Sequence, residues 1–425
     1  MSERRIGLGS AVALVVASMI GTGVFTTSGF ALGDLGRRDL VVAAWVVGGL
    51  VALAGAASYG ALARHIPEDG GEYTFLSQTL HPALGVVAGW VSMLAGFTAP
   101  IAAAALLLHE YLAGSFAWPL GAQLTATLAI VLAAAAHGLR TRHGLRAQDA
   151  AVALKLLALT TLLVVGFALR ESAPPPPADA EAGGWGAFAV TLVWVSFSYS
   201  GWNAAVYVGG RVRDPARTLP RALVLGTGLV ALLYVALNAL ILYSAPQELL
   251  AYRPDVAAAA AGAIGGETAQ RGLALVVTLG LLTSISAMTM LGPRVVARMA
   301  EDGALPRVLA RGADAPTTAV AAQALAAIVV VWLQDLQTLL GYIGFTLGLS
   351  AAGCVVGLMA LRRRRGPEEV PVWGYPFVPL FFVLATLWGA AFMVAREPTA
   401  SLYGALTLGV GGAGYAWRAR SKPRP

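Results

Sequence analysis

Ala17-Ser18-Met19-Ile20-Gly21-Thr22-Gly23-Val24-Phe25 interrupts the first long apolar run of the chain, and Phe197-Ser198-Tyr199-Ser200-Gly201-Trp202-Asn203 interrupts another at the opening of its second half. Both stretches put glycine and small polar residues in the middle of sequence otherwise suited to lipid. Glycine weakens a helix there and bares backbone donors and acceptors that hydrocarbon cannot satisfy. Such a break is tolerated only where the backbone faces protein or a water-filled cavity. Two breaks at corresponding places in two halves point to a substrate site near the bilayer midplane of a secondary transporter.

Composition agrees with a membrane setting. The chain has 425 residues, 57% of them hydrophobic and only 12% charged, against roughly 25% charged in a soluble domain. Most of the surface must therefore meet lipid. The hydrophobic pattern predicts an all-α integral membrane protein with 12 transmembrane helices, at about 8–32, 39–63, 83–112, 118–138, 147–169, 185–208, 221–243, 270–293, 316–333, 336–360, 375–395 and 399–417. Twelve spans put both termini on one side. Of the 29 Lys and Arg residues, 22 fall on that side, 6 on the other and one inside a span, so the positive-inside rule makes the rich side cytoplasmic. The net charge of +7 is thus a mark of topology and argues against a nucleic-acid partner.

With five spans per repeat, the first span runs inside to outside and the sixth runs the opposite way, as an inverted repeat requires. Residues 1–169 form the first unit, 185–360 the second, and 375–417 two extra spans, with no soluble domain. The run Pro174–Pro177 reads as a stiff connector. Arg4-Arg5 followed by an apolar run resembles a signal peptide, but the run is too long and holds the break, so it reads as a retained first helix. The single cysteine, Cys354, lies in the tenth span, which excludes an intrachain disulfide and reads as a small hydrophobe.

At the first break, the amides of Gly21, Thr22 and Gly23 would form the positive end of the outer half-helix, where a carboxylate belongs. Carbonyls near Met19 and Ile20, with those near Phe197 and Ser198, would face an ammonium group. Together they describe a clamp for a zwitterionic amino acid. One glycine pair alone more often means close helix packing; two matched breaks with polar neighbours favour the clamp. Ser200 and Asn203 are the side chains placed for polar contact, Phe97 on span three would wall the pocket, and Trp202 would either brace the broken helix or touch ligand.

Four stretches in order resemble the amino acid–polyamine–organocation (APC) superfamily, the bacterial amino acid permeases. They are Ile20-Gly21-Thr22-Gly23-Val24-Phe25; Pro67-Glu68-Asp69-Gly70-Gly71-Glu72-Tyr73 with Gly89-Trp90; Tyr199-Ser200-Gly201-Trp202-Asn203 with Arg213-Asp214-Pro215-Ala216-Arg217-Thr218-Leu219-Pro220-Arg221; and Pro293-Arg294 with Ala300-Glu301-Asp302-Gly303-Ala304-Leu305-Pro306. The likeness runs from residue 7 to about 310. It implies a LeuT-like five-plus-five core with discontinuous helices 1 and 6, in the bacterial inner membrane, and an aromatic lid over bound substrate at Phe197, whose other reading is a core- or lipid-facing side chain.

Lys155 is the ionisable group deepest within a span, a costly placement and a functional suspect on that ground. Some proton-coupled members of the resembling superfamily carry a lysine here in place of sodium, which implies protons as the coupling ion, with Thr283, Ser284 and Ser286 accepting from the ammonium. A lysine snorkelling to the cytoplasmic interface is the other reading.

No Asp or Glu falls mid-membrane in spans one, three, six, eight or ten; Glu110 and Asp335 lie at span ends. A cationic side chain would want a buried carboxylate, so a neutral amino acid is expected. The histidines show no metal-ligand spacing, and neither a metal nor a cofactor is expected. The expected function is proton-coupled uptake of neutral L-amino acids, with a sodium-independent exchanger or exporter as the alternative. An intramembrane enzyme lacks a credible catalytic group, and a channel or sensor fits the broken helices less well.

Overall fold

A computed structural model describes residues 6–68, 70–138, 157, 159–169, 183–301, 305, 307–310 and 317–421. Among the described residues the chain is helical throughout, and its one strand-like pairing is a parallel bridge between Ile6 and Val212. Helix α1 (Leu8–Met19) ends at the first break; a 3-10 turn (Gly23–Phe25) leads into α2 (Thr27–Leu35), which closes on Gly36 at φ 65°. Then follow α3 (Arg38–His65), α4 (Glu72–Thr79), α5 (Pro82–Val91), α6 (Ala99–Ser115), α7 (Ala122–Gly138) and α8 (Leu159–Leu169). The second half holds α9 (Trp185–Ser198), α10 (Pro215–Leu242), α11 (Val256–Glu301), α12 (Thr317–Leu333), α13 (Leu336–Arg365), α14 (Phe377–Arg396) and α15 (Pro398–Ser421).

Six stretches are long and apolar enough to cross a bilayer: Arg38–His65, Pro82–Ser115, Pro215–Leu242, Val256–Glu301, Leu336–Arg365 and Phe377–Arg396. Leu132, Leu232, Leu325 and Leu333 stand exposed on outer helix faces, a surface suited to acyl chains rather than water. The protein is a multi-pass membrane protein.

Several boundaries differ from the hydrophobic pattern. The seventh span begins at Pro215, six residues early, because proline is tolerated in a first helical turn whose N–H groups have no intrahelical partner. The eighth, expected at 270–293, lies within a helix that starts at Val256 and is kinked at Gly265 and Gly266, the latter at φ 69°. Much of the loop expected at 244–269 is therefore helical. The third span is not uniform: Ser92–Thr98 form a π-helical stretch between α5 and α6, with Thr98 Oγ1 donating to the Met93 carbonyl at 2.9 Å. Such bulges concentrate at functional sites.

The interior packs aromatic against aromatic. Trp45, Tyr199 and Tyr234 meet with ring centroids 5.3–5.6 Å apart and hold α3, the end of α9 and α10 together. The Tyr199 hydroxyl donates to the Trp45 carbonyl at 3.0 Å. This cluster abuts both breaks and gives them a rigid backing.

Candidate functional site

The two breaks cross. At Gly23 an added Cβ would lie 2.4 Å from Ser198 Oγ and 2.6 Å from Ser198 Cα. At Gly201, whose φ is +99°, it would lie 2.5 Å from the Ser18 carbonyl oxygen and 3.0 Å from the Met19 nitrogen. Only a residue without Cβ lets the main chains approach this closely, and at Gly201 only glycine takes that φ at little cost. The sequence thus dictates the crossing locally: glycine removes the spacer between backbones, and the small residues around it leave the helices unwound.

Around the crossing lies a cavity of about 980 Å³. Met19, Ile20, Gly21, Thr22 and Gly23 line it from the first break, and Phe197, Ser198, Ser200, Gly201 and Asn203 from the second. Phe97 lines it from the π stretch, as do Thr283 and Ser284 from α11. Ser286 is not among the lining residues, and Lys155 lies outside the described residues. The cavity extends toward the face that carries the start of α1, where Gly70, Tyr73, Val208, Arg211 and Met299 line it.

Several polar groups of the breaks already have partners. The Met19 carbonyl accepts from the Tyr234 hydroxyl at 2.6 Å and from the Gly21 amide at 2.8 Å. Both lone pairs of that oxygen are engaged, which leaves Ile20 as the residue of the pair whose carbonyl better suits an ammonium. Ser198 Oγ donates to the Trp194 carbonyl at 3.1 Å and lies 2.8 Å from Thr27 Oγ1, tying α9 to the start of α2. Thr283 and Ser284 hydroxyls both donate to the Gly280 carbonyl at 2.9 Å. Trp202 does brace: its ring meets Tyr59 at 4.7 Å and Phe382 at 6.0 Å between centroids, and it also lines the cavity.

The opposite face is sealed around α2. The Tyr111 hydroxyl donates to the Phe25 carbonyl at 2.8 Å, the Tyr252 amide to the Gly29 carbonyl at 2.8 Å, and Ser28 Oγ to Asn238 at 2.6 Å. A Cβ at Gly29 would lie 2.0 Å from the Arg253 carbonyl oxygen, so the loop between α10 and α11 sits directly on α2.

One functional group escaped sequence reasoning. Glu72, counted as part of a loop between spans two and three, is buried and lines the cavity. Gly70 and Gly71, at φ +121° and +56°, turn the chain back into the bundle and seat α4 there. The expectation that no carboxylate reaches the site is therefore corrected. The glycine pair directly before the residue was the signal available.

The family's sequence pattern, described as amino acid permease, matches residues 6–407 and so takes in both breaks, the buried glutamate and all the cavity-lining helices up to α14. The chain belongs to the amino acid permease family of the APC superfamily. Large neutral amino acids transporter small subunit 2 of Oryctolagus cuniculus is 28% identical to this permease over 416 residues, covering 93% of this chain and 77% of the relative. The serine/threonine exchanger SteT of Bacillus subtilis is 26% identical over 418 residues, with 90% and 91% covered. The b(0,+)-type amino acid transporter 1 of Mus musculus is 24% identical over 411 residues, with 93% and 84% covered. Amino acid transport is accordingly the permease's general function, and its relatives are transporters rather than enzymes.

Proposed function

We propose that this permease moves neutral L-amino acids across the cytoplasmic membrane by alternating access, with both termini in the cytoplasm and residues 1–169 and 185–360 as two inverted repeats. The observation that carries the reading is the crossing of the two breaks at Gly23 and Gly201 inside the cavity. The Gly21 amide is spent on the Met19 carbonyl, and the Phe197 carbonyl accepts from the Tyr199 and Ser200 amides, so the amides of Thr22 and Gly23 would take the substrate carboxylate, and the carbonyls of Ile20 and Ser198 its ammonium. Phe197 would lie over the bound molecule. We read Glu72 as part of the wall and not as a partner for a cationic side chain, since Tyr59, Asn203 and Tyr207 already converge on its carboxylate. The names of two relatives, for neutral amino acids and for serine and threonine, support the same class.

For the mode of transport we propose proton-coupled uptake, with Lys155 as the coupling group and the hydroxyls of Thr283, Ser284 and Ser286 as the acceptors for its ammonium. Exchange is the second reading, supported by the name of the serine/threonine exchanger relative. Purified protein in proteoliposomes separates them. Uptake of labelled L-serine, L-alanine or L-leucine into empty vesicles, driven by an inward proton gradient, supports symport. Uptake only into vesicles preloaded with amino acid supports exchange. Strict sodium dependence contradicts both, and no flux of any amino acid overturns the proposal.

A further inference from the structure

Among the described residues, Glu72 is the one acidic side chain lining the cavity, and it is 6% exposed. Its Oε1 accepts from the Tyr59 hydroxyl at 3.2 Å and from Asn203 Nδ2, and its Oε2 accepts from the Tyr207 hydroxyl. The three partners come from different places: Tyr59 from α3, Asn203 from the second break, and Tyr207 from the 3-10 segment Ala204–Arg211 that follows it. Around them, Tyr59 packs edge-on against Phe75 and Trp202, and the Cys354 thiol of α13 lies beside it. The glutamate therefore sits in a polar nest that the second break helps to close through Asn203.

The consequence lies in the polarity of Asn203. A primary amide has a donating end and an accepting end, and the two are nearly the same size. A carboxylate that accepts from Asn203 decides which end it holds: the NH2 group turns to Glu72, and Oδ1 is the end of this cavity-lining residue that Glu72 does not hold. The Tyr207 hydroxyl hydrogen is committed in the same way.

We propose that Glu72 is a positioning residue that holds Asn203 with its carbonyl oxygen toward the cavity, so that the site selects neutral amino acids whose side chain carries a hydrogen-bond donor over isosteres that lack one. The proposal rests on the amino acid transport reading of the same cavity. Threonine and valine are the natural pair to separate by it. They are close in shape, and only threonine brings a hydroxyl. A site built to bond a substrate hydroxyl disfavours the analogue without one, because its own buried polar group is left unpaired. Replacing the carboxylate with an amide removes the constraint, since Gln can either donate or accept and Asn203 is then free to turn.

The test is competition between unlabelled L-threonine and L-valine against labelled L-serine counterflow in proteoliposomes, with thermal stabilisation of the detergent-solubilised protein by each amino acid as a second measure. Wild type should favour threonine by at least about tenfold. Glu72→Gln should bring the ratio to about threefold or less, and Glu72→Asp, which keeps an acceptor, should restore part of it. A purely structural glutamate would lower the yield of folded protein and leave the ratio alone. Should Glu72→Gln fail to insert, Asn203→Leu removes the acceptor while keeping the carboxylate, and it should collapse the ratio too. Equal potency of threonine and valine on wild type overturns the proposal, as does an unchanged ratio in Glu72→Gln or Asn203→Leu. If no amino acid competes or stabilises, the transport reading itself falls.

Discussion

Adding a single methyl group at the crossing of the breaks tests the site most directly. Gly201→Ala would place its Cβ 2.5 Å from the Ser18 carbonyl oxygen and 2.7 Å from the Ser18 carbonyl carbon, both main-chain atoms that no rotamer change can clear. Holding an L-residue at φ +99° adds about 1–3 kcal/mol of backbone strain. Overpacking adds about 1–3 kcal/mol more. Relief comes only if the two breaks separate, and that separation pulls apart the amides and carbonyls proposed to hold the two ends of the substrate. Even about 1.4 kcal/mol lost from binding is tenfold in affinity. Gly201→Ala should therefore weaken half-saturation for labelled L-serine in proteoliposomes by tenfold or more, or abolish uptake, with the protein still inserted. Gly23→Ala should behave alike, because its Cβ meets Ser198 Cα at 2.6 Å. Gly228→Ala on α10 is the control, since nothing lies nearer than 3.8 Å to its added carbon. Wild-type affinity and thermal stability in both break variants would refute the crossing as the site.

Other outcomes are expected from the same geometry. Phe197→Ala should weaken apparent affinity by about 0.5–2 kcal/mol if the ring covers substrate, read from competition curves. Tyr234→Phe removes the donor that holds the Met19 carbonyl at 2.6 Å and should destabilise the protein by about 0.5–1.5 kcal/mol in a melting assay. Ser198→Ala loses the 2.8 Å link to Thr27 and should speed labelling of a cysteine placed at the buried Ala31 of α2 by a membrane-impermeant maleimide; unchanged labelling would mean that this pair does not hold α2 closed. Lys155→Ala should abolish the response of uptake to an inward proton gradient while substrate still protects against heat; a gradient response that survives would remove Lys155 from coupling.

The breaks were legible in the sequence because their signal is compositional. Gly21, Gly23 and Gly201 stand among serine, threonine and asparagine inside runs that are otherwise apolar, and no lipid-facing helix needs them there. Phe97 was reachable because hydropathy places the third span to within a turn, whereas Thr283 and Ser284 came from the resemblance to the APC superfamily, on a helix that starts at Val256 and not near residue 270. Glu72 was not legible as a cavity residue. Its neighbours are polar, so hydropathy places it in solvent, and its burial is decided by the backbone turn at Gly70 and Gly71 and by partners 131 and 135 residues away. The π stretch at Ser92–Thr98 leaves no compositional trace either, since one extra residue per turn shifts the register without changing which residue types the helix uses. The kink at Gly265 and Gly266 was visible as a glycine pair, but alanine-rich sequence before it read as loop rather than helix.

The pairing of Ile6 with Val212 carries a practical consequence. The Ile6 amide donates to the Arg211 carbonyl at 2.9 Å, and the Arg213 amide donates back to the Ile6 carbonyl at 2.9 Å. The chain ahead of α1 is thus stitched to the chain that follows the second break, so a displacement of either segment is passed to the other. Because the stitch is made entirely of peptide groups, alanine scanning passes over it in silence. Proline at Arg213, which deletes one donor, would expose it. A fluorophore or affinity tag fused close ahead of Ile6 would load this stitched pair, whereas one fused after α15 would not.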